Sequence, residues 1–291
     1  MNGKVRHSLR LTAMLYLLDY GAGNIQSLAN SLTKLGYTYE WVREPSDISK
    51  ADKLLFPGVG SFASAMDALH AKGYVEPLRA YIQSGKPLMG ICVGMQVLFE
   101  GSDESPGVQG LGIVPARVGR FATQDAFGRK AVPHMGWSLA NVVEWDGCAD
   151  QRHELAKSYG MHDANPSHYY FVHSYRVAWD ANVAEWALTT TQYGNEIFVS
   201  SIQHANVFAT QFHPEKSGQA GLDLLAAWLR LEHVEPTTRV ARPVTSTEHM
   251  PTRRIVACLD VRSNDAGDLV VTKGESYDVR ERGEQDAGAS H

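Results

Sequence analysis

Between residues 14 and 100 the chain alternates short apolar runs with longer stretches in which apolar residues recur every three or four positions. The short runs are typical of buried β-strands, and the longer stretches are typical of amphipathic helices. The pattern predicts strands at residues 14–18, 37–42, 53–56 and 87–91, and helices at residues 25–35, 62–72 and 74–84. Strands that alternate with helices in this way favour a parallel sheet covered by helices on both faces.

The second half of the chain is richer in short strand-like runs. They are predicted at residues 169–177, 187–192, 197–202 and 207–212. Their close spacing indicates strands that are added to the parallel sheet in mixed orientation. A helix capped by Ser217 is predicted at residues 217–232. The predicted fold class is therefore α/β, with a mixed but mostly parallel sheet flanked by helices.

Composition narrows the classes of function. The 291 residues carry a formal net charge of −5, whereas a nucleic-acid partner would call for a basic surface. No apolar run approaches the roughly 18 residues that a membrane span requires. Cys92, Cys148 and Cys258 have neither disulfide nor metal-ligand spacing, so no metal is expected and a reducing compartment such as the cytoplasm fits. The basic leader at residues 1–13 leaves a transit peptide, and therefore a plastid, as the alternative.

Small residues surround Cys92 in the segment GICVGMQ (90–96), at the predicted junction of a strand and a helix. A reactive side chain on such a turn, flanked by glycines, is the arrangement of a nucleophile elbow. The N-terminus of the following helix favours a thiolate and offers backbone N–H groups to an oxyanion. The alternative is that Cys92 is a small buried apolar residue, as lone cysteines usually are. This segment alone leaves both interpretations open.

Two further motifs favour the catalytic interpretation. In QFHPE (211–215), His213 follows a predicted strand and Glu215 lies two residues further on, across the rigid Pro214. Together with an elbow cysteine they complete a Cys-His-Glu set for acyl transfer, although alone they could form a surface turn. In PGVG (57–60), two glycines after a strand can bring backbone amides close to a substrate carbonyl, although alone they could form an ordinary turn.

These motifs, in this order, resemble class I glutamine amidotransferases. Within that class, residues 14–232 are similar to the glutaminase of imidazole glycerol phosphate synthase. The discriminating segments are LDYGAGN (18–24), PGVGSF (57–62), GMQVLFEGSDE (94–104), PHMGWS (133–138) and YFVHSY (170–175). Another class I amidotransferase, such as the anthranilate or pyridoxal phosphate synthase type, is the alternative that these segments disfavour.

The resemblance implies a role for each matching residue. The implied catalytic triad is Cys92, His213 and Glu215. The implied oxyanion segment and donor are Gly58, Val59, Gly60 and Val93. The implied L-glutamine pocket contains Gln96, Glu100, His173, Ser174 and Tyr175. No cofactor is implied.

The resemblance also implies a cyclase domain or subunit as partner. Met135 and Trp137 match a segment near the cyclase contact, and Ser138 stands where an asparagine is expected. Residues 254–281 resemble the first strand and loop of the cyclase (β/α)8 barrel in the bifunctional enzyme of eukaryotic type. Asp260 matches the first catalytic acid of that barrel, and Lys273 matches a position near the phosphate of its substrate.

A complete barrel takes about 200 to 250 residues. We therefore expect only an incomplete barrel start, without cyclase activity. The predicted organisation is a leader (1–13), an amidotransferase domain (14–235), a linker (236–252), the barrel start (253–281) and a divergent tail (282–291).

The expected function is hydrolysis of L-glutamine to glutamate and ammonia. In the family, the ammonia is used to form imidazole glycerol phosphate and AICAR in histidine biosynthesis. The family's glutaminase is typically quiescent until a liganded cyclase docks. The alternative function is therefore a catalytically quiescent, partner-binding fragment.

Overall fold

The computed structural model divides the chain into two units, Met1–His249 and Met250–His291. In the first unit it describes residues 13–21, 25–126, 128–145, 154, 156–161, 167–180, 182–231 and 241–242. In the second unit it describes the backbone of residues 260–263, 269–272 and 278–279.

The strands of the first unit that precede the middle of the chain are β1 (Leu15–Leu18), β2 (Glu40–Val42), β3 (Lys53–Gly58), β4 (Leu88–Cys92), β5 (Phe99–Ser102), β6 (Val114–Arg120), β7 (Gln124–Asp125), β8 (Gly128–Arg129), β9 (His134–Leu139), β10 (Asn141–Val142) and β11 (Glu144–Trp145). The later strands are β12 (His168–His173), β13 (Tyr175–Ala178), β14 (Ala187–Tyr193), β15 (Glu196–His204), β16 (Val207–Thr210) and β17 (Ala241–Arg242). The helices are α1 (Gln26–Lys34), α2 (Pro45–Lys50), α3 (Phe62–Ala71), α4 (Val75–Gln83), α5 (Val93–Gln96), a 3-10 helix (Pro214–Lys216) and α6 (Gly218–Arg230).

One large mixed sheet organises the first unit. Its strands follow the order β2-β1-β3-β4-β16-β15-β13-β6-β5, and β10 and β14 join it through β15. The pairs from β2 to β16 are parallel, and the pairs that β15 makes with its neighbours are antiparallel. The central strands β1 and β4 are buried along their whole length, as expected for strands covered on both faces. The predicted mixed, mostly parallel α/β fold is confirmed.

Several local features differ from the sequence prediction, which contained none of the strands from β5 to β11. Helix α2 was not predicted, because its only buried residue is Ile48 and it therefore shows no apolar periodicity. The strand expected at residues 169–177 is divided at Ser174 into β12 and β13. Strand β12 pairs with β9, whereas β13 pairs with β6 and β15, so the chain changes partners at Ser174. This change places residues 173–175 at a corner between two sheets.

The second unit contains the strands β18 (Asp260–Ser263), β19 (Leu269–Thr272) and β20 (Asp278–Val279). They form an antiparallel sheet in sequence order. Of residues 254–281, which resemble the first strand and loop of the cyclase barrel, these three strands are the described part, and Asp260 begins β18. Lys273 lies outside the described residues. The incomplete barrel and the domain boundaries stay predictions.

Candidate active site

Cys92 ends β4 and precedes α5 with backbone angles of φ 55° and ψ −110°, which are strained for a residue that carries a β-carbon. The strain is accommodated because the turn packs tightly against β3. A β-carbon built on Gly94 would lie 1.9 Å from the carbonyl oxygen of Phe56, and one on Gly58 would lie 2.4 Å from the backbone nitrogen of Gly94. The glycines therefore allow β3 and the elbow to approach at backbone distance.

His213 and Glu215 lie beside this turn at the end of β16. The Nδ1–H group of His213 donates a hydrogen bond to Oε1 of Glu215, with the two atoms 2.7 Å apart. Since Nδ1 is engaged, Nε2 is the ring nitrogen that remains to interact with Cys92, whose charge and hydrogen bonding raise the pKa of His213. Ser217 is the N-cap residue of α6, as predicted, but its hydroxyl makes no cap hydrogen bond: it donates to the carbonyl oxygen of His213 and accepts from the backbone N–H of Tyr170. It fixes the turn that carries the histidine.

The surroundings of His213 favour its protonated form. Burial alone would lower its pKa, but the charge and hydrogen bond of Cys92 and the hydrogen bond of Glu215 together raise it to about 10. Burial is the largest of these influences, and the partners outweigh it in sum. The arrangement is that of a buried imidazole whose protonated form is favoured by the two residues on either side of it, Cys92 and Glu215.

A cavity of about 370 Å³ opens over Cys92. Its walls are formed by Val59, Gly60, Cys92, Val93, Gln96, Glu104, Pro133, Val172, His173, Ser174, Tyr175, His213 and Lys216. A volume of this size suits a small polar ligand. Eight of the residues predicted from the sequence therefore share one cavity with Cys92.

The segment predicted to stabilise an oxyanion lies along one wall. Val59 and Gly60 line the cavity, with Gly60 at φ +97°, and Val93 lines it as the first residue of α5. Gly58 pairs with Cys92 in the β3–β4 ladder. The turn predicted at residues 57–60 begins later than expected, because β3 extends to Gly58. Val59, Gly60 and Val93 thus carry their backbone N–H groups along the wall of the cavity that Cys92 also lines.

Glu100 lies outside the cavity, contrary to its predicted place in the pocket. Side chains alternate across a strand, and on β5 Phe99 faces the core whereas Glu100 is exposed. Glu104 lines the cavity instead. Its Oε2 accepts a hydrogen bond of 2.8 Å from the backbone N–H of Phe62 at the start of α3, and this bond orients the carboxylate.

Sequence reasoning also missed Lys216 and Gln211. Lys216 lines the cavity one residue beyond Glu215. The side chain of Gln211 is buried, and its Nε2 lies 3.6 Å from Sγ of Cys92. Both residues stand within or next to the QFHPE motif, which was the available signal.

A buried pair of histidines adjoins the cavity. Nδ1 of His134 lies 3.2 Å from Nε2 of His173, and His134 stacks between Phe171 and Tyr193. Burial lowers the pKa of His134 to about 2 and that of His173 to about 3. Both imidazoles are therefore neutral at physiological pH, and His173 adds no positive charge next to His213.

This burial predicts acid sensitivity. In the unfolded chain both histidines take up protons below pH 6.5, whereas in the folded chain they stay neutral down to about pH 3. Protons therefore bind preferentially to the unfolded chain, and the free energy of unfolding falls as the pH falls. Between pH 7 and pH 5 each histidine is expected to contribute a loss of about 2 kcal/mol in the free energy of unfolding. Between pH 7 and pH 5, the free energy of unfolding of His134→Gln, measured with denaturant, should therefore fall by about 2 kcal/mol less than that of the wild type. The matched control is His70→Gln, at an exposed helical position; an unchanged pH dependence in His134→Gln would contradict the prediction.

Met135 and Trp137 lie on one side of β9 and are 54% and 44% exposed. Apart from Met14, they are the exposed large apolar side chains of the described residues. Such a pair on one strand is consistent with a contact surface, which stays a prediction.

Membrane-spanning helices and metal-binding clusters are absent from the described residues. None of their helices combines the length and the apolar character that crossing a membrane requires. They also contain no cluster of three or more histidine, cysteine, aspartate or glutamate side chains placed to hold a metal ion.

Comparison with known proteins places the chain among its relatives. The family model "Glutamine amidotransferase class-I" matches residues 16–229. The imidazole glycerol phosphate synthase hisHF of Emericella nidulans is 48% identical over 94% of this chain and 48% of its own length. The subunit HisH of Methanothermobacter thermautotrophicus is 41% identical over 75% of this chain and 98% of its own length. The chain thus spans about half the length of the hisHF relative and almost all of the HisH subunit.

The fold agrees with solved structures. A crystal structure of a glutamine amidotransferase superposes with a TM-score of 0.51 at 20% identity, and the match covers 74% of this chain and 98% of that one. At this identity the likeness supports the fold alone. The sequence matches carry the assignment: the chain belongs to the class I glutamine amidotransferase family, and within it to the group of the imidazole glycerol phosphate synthase proteins hisHF and HisH.

Proposed function

We propose that the chain hydrolyses L-glutamine to glutamate and ammonia, with Cys92, His213 and Glu215 as its catalytic triad. The observation that carries the proposal is that His213, which is hydrogen-bonded to Glu215, lines one cavity together with Cys92, and that both partners raise its pKa. A base oriented by a carboxylate and paired with a cysteine is the arrangement of acyl-transfer enzymes.

The chemistry follows from this arrangement. The sulfur of Cys92 attacks the side-chain amide carbon of glutamine, and the C–N bond breaks as His213 donates its proton to the leaving nitrogen. The products of this step are ammonia and a glutamyl thioester. His213 then takes a proton from water, and the resulting hydroxide attacks the thioester to release glutamate and the thiolate. The backbone N–H groups of Gly60 and Val93 stabilise the oxyanion in both steps.

The polar side chains of the cavity suit the other end of glutamine. The carboxylate of Glu104 complements the α-ammonium group, and the ammonium of Lys216 complements the α-carboxylate. Gln96 contributes a carbonyl oxygen, because its amide nitrogen already donates to Tyr175 and Gln211. We therefore assign to Glu104 the role that the sequence suggested for Glu100.

We further propose that the ammonia serves the formation of imidazole glycerol phosphate and AICAR in histidine biosynthesis, with a cyclase as partner. The support is the similarity to proteins named imidazole glycerol phosphate synthase. The exposed Met135 and Trp137 are the proposed contact, and Asp260 and Lys273 are proposed to belong to a cyclase-like segment. Cyclase activity itself is not proposed for this chain.

A glutaminase assay tests both proposals. Glutamate release should be slow for the chain alone and rise at least about tenfold when a separate cyclase and its nucleotide ligand are added, as a coupling free energy of about 1.4 kcal/mol or more requires. Fast unstimulated turnover would contradict the coupling to a cyclase. No glutamate under either condition would contradict the glutaminase function and favour a quiescent partner-binding fragment.

A further inference from the structure

Gln211 contacts the nucleophile, although the proposed acyl-transfer chemistry gives it no task. Its backbone N–H donates to the carbonyl oxygen of Ser200 at 2.9 Å, which fixes the residue just beyond β16. Its side chain is 0% exposed, and its Nε2 donates toward Sγ of Cys92 across 3.6 Å. We propose that Gln211 is a positioning residue that holds the sulfur of Cys92 and stabilises its thiolate through an N–H···S hydrogen bond.

The orientation of the Gln211 amide is set by a main-chain carbonyl. The carbonyl oxygen of Tyr175 can only accept, so Gln96 must present its Nε2, which lies 3.1 Å away. The second hydrogen of the same nitrogen donates to Oε1 of Gln211 at 2.9 Å. Because Oε1 of Gln211 is thereby committed to Gln96, its NH2 group is the one that faces Cys92.

The same carbonyl sets the direction of a second branch. It accepts from Nδ1–H of His173 at 2.8 Å, which leaves Nε2 of this neutral imidazole as an acceptor. His134 therefore donates through Nδ1–H, and its own Nε2 accepts from the hydroxyl of Ser138 at 3.0 Å. Each donor and acceptor in both branches is thus assigned from the carbonyl of Tyr175 without conflict. A flipped amide of Gln211 would place its NH2 group against the NH2 group of Gln96 and is therefore disfavoured.

The N–H donor of Gln211 should favour the ionised form of the Cys92 sulfur. Hydrogen bonds to a charged group are stronger than those to a neutral one, and burial strengthens them further. Gln211 therefore favours the anionic sulfur over the thiol, and it does so from the side of β16, which also leads to His213. One short segment thus supplies both the donor to the sulfur, Gln211, and the histidine of the proposed triad, His213.

The experiment measures the thiolate directly, so that it does not depend on turnover. The ultraviolet thiolate absorbance of each variant is compared with that of the same variant carrying Cys92→Ala, which isolates Cys92 from the other cysteines and tyrosines. Gln211→Met is expected to shift the ionisation equilibrium of Cys92 about tenfold toward the thiol. Gln211→Glu keeps the shape and the acceptor but replaces the N–H donor with an oxygen, and it should shift the equilibrium at least as far.

The matched control is Gln203→Met. Gln203 is equally buried, but its Nε2 donates to the carbonyl oxygen of Ala205, so its loss should leave the Cys92 absorbance unchanged. Wild-type thiolate absorbance in a folded Gln211→Met or Gln211→Glu protein would overturn the inference; if Gln211→Met does not fold, Gln211→Glu decides. The inference rests on Cys92 being the nucleophile of the proposed function. The two remain separable, because the absorbance is read whether or not glutamate is released.

Discussion

Replacing Cys92 with alanine should lower glutamate release by at least about 10⁴-fold, because no thioester can form without the sulfur. His213 and Glu215 would remain paired and the cavity would remain intact, so glutamine binding should change little. The measurement is glutamate release in the presence of cyclase and its nucleotide ligand. Mass spectrometry of protein quenched during turnover should show a glutamyl adduct in the wild type and none in Cys92→Ala.

The fold should tolerate this substitution. Alanine keeps the β-carbon, so the strained backbone at φ 55° is neither relieved nor made worse. The midpoint of thermal unfolding should therefore stay close to that of the wild type. Cys148→Ala is the matched control and should retain full activity. If Cys92→Ala retained even about one hundredth of the rate, the assignment of the nucleophile would be wrong.

The features that the sequence predicted well are those encoded by adjacent residues. Apolar runs predicted the central strands, and apolar periodicity predicted α1, α3, α4 and α6. The elbow and the His-Pro-Glu turn are short segments whose side chains must lie near the ends of their strands. For this reason Cys92, His213 and Glu215 could be proposed together before their distances were known.

The features that the sequence did not predict depend on which face of a strand each side chain occupies and on contacts between residues that are far apart in the sequence. Whether Glu100 or Glu104 faces the cavity depends on β5, whose pairing with β6 shifts register between Phe99 and Gly101. The contact of Gln211 with Cys92 joins residues 119 positions apart, so the QFHPE motif marks Gln211 as a neighbour of the site without indicating that contact. His134 and His173 meet because they are paired across β9 and β12, a register that becomes visible only in the folded chain.

Gly94→Ala should have the largest effect on stability among the glycines of the elbow. In an ordinary helix this substitution stabilises by up to about 1 kcal/mol. Here the new β-carbon, on helix α5, would lie 1.9 Å from the carbonyl oxygen of Phe56, which belongs to the backbone of the central strand β3. Either α5 or β3 must move, which should lower the free energy of unfolding by about 3 kcal/mol or more.

The same displacement should impair catalysis, because α5 carries the Val93 amide and directly follows Cys92. Denaturant unfolding and glutamate release of Gly94→Ala are compared with those of Gly107→Ala. A β-carbon on Gly107 meets no atom within 4 Å, so that control should stay within about 0.5 kcal/mol of the wild type and keep its activity. If Gly94→Ala proved as stable and as active as Gly107→Ala, the elbow would not depend on backbone contact with β3. Such a result would also remove the physical reason for a glycine two residues beyond the nucleophile.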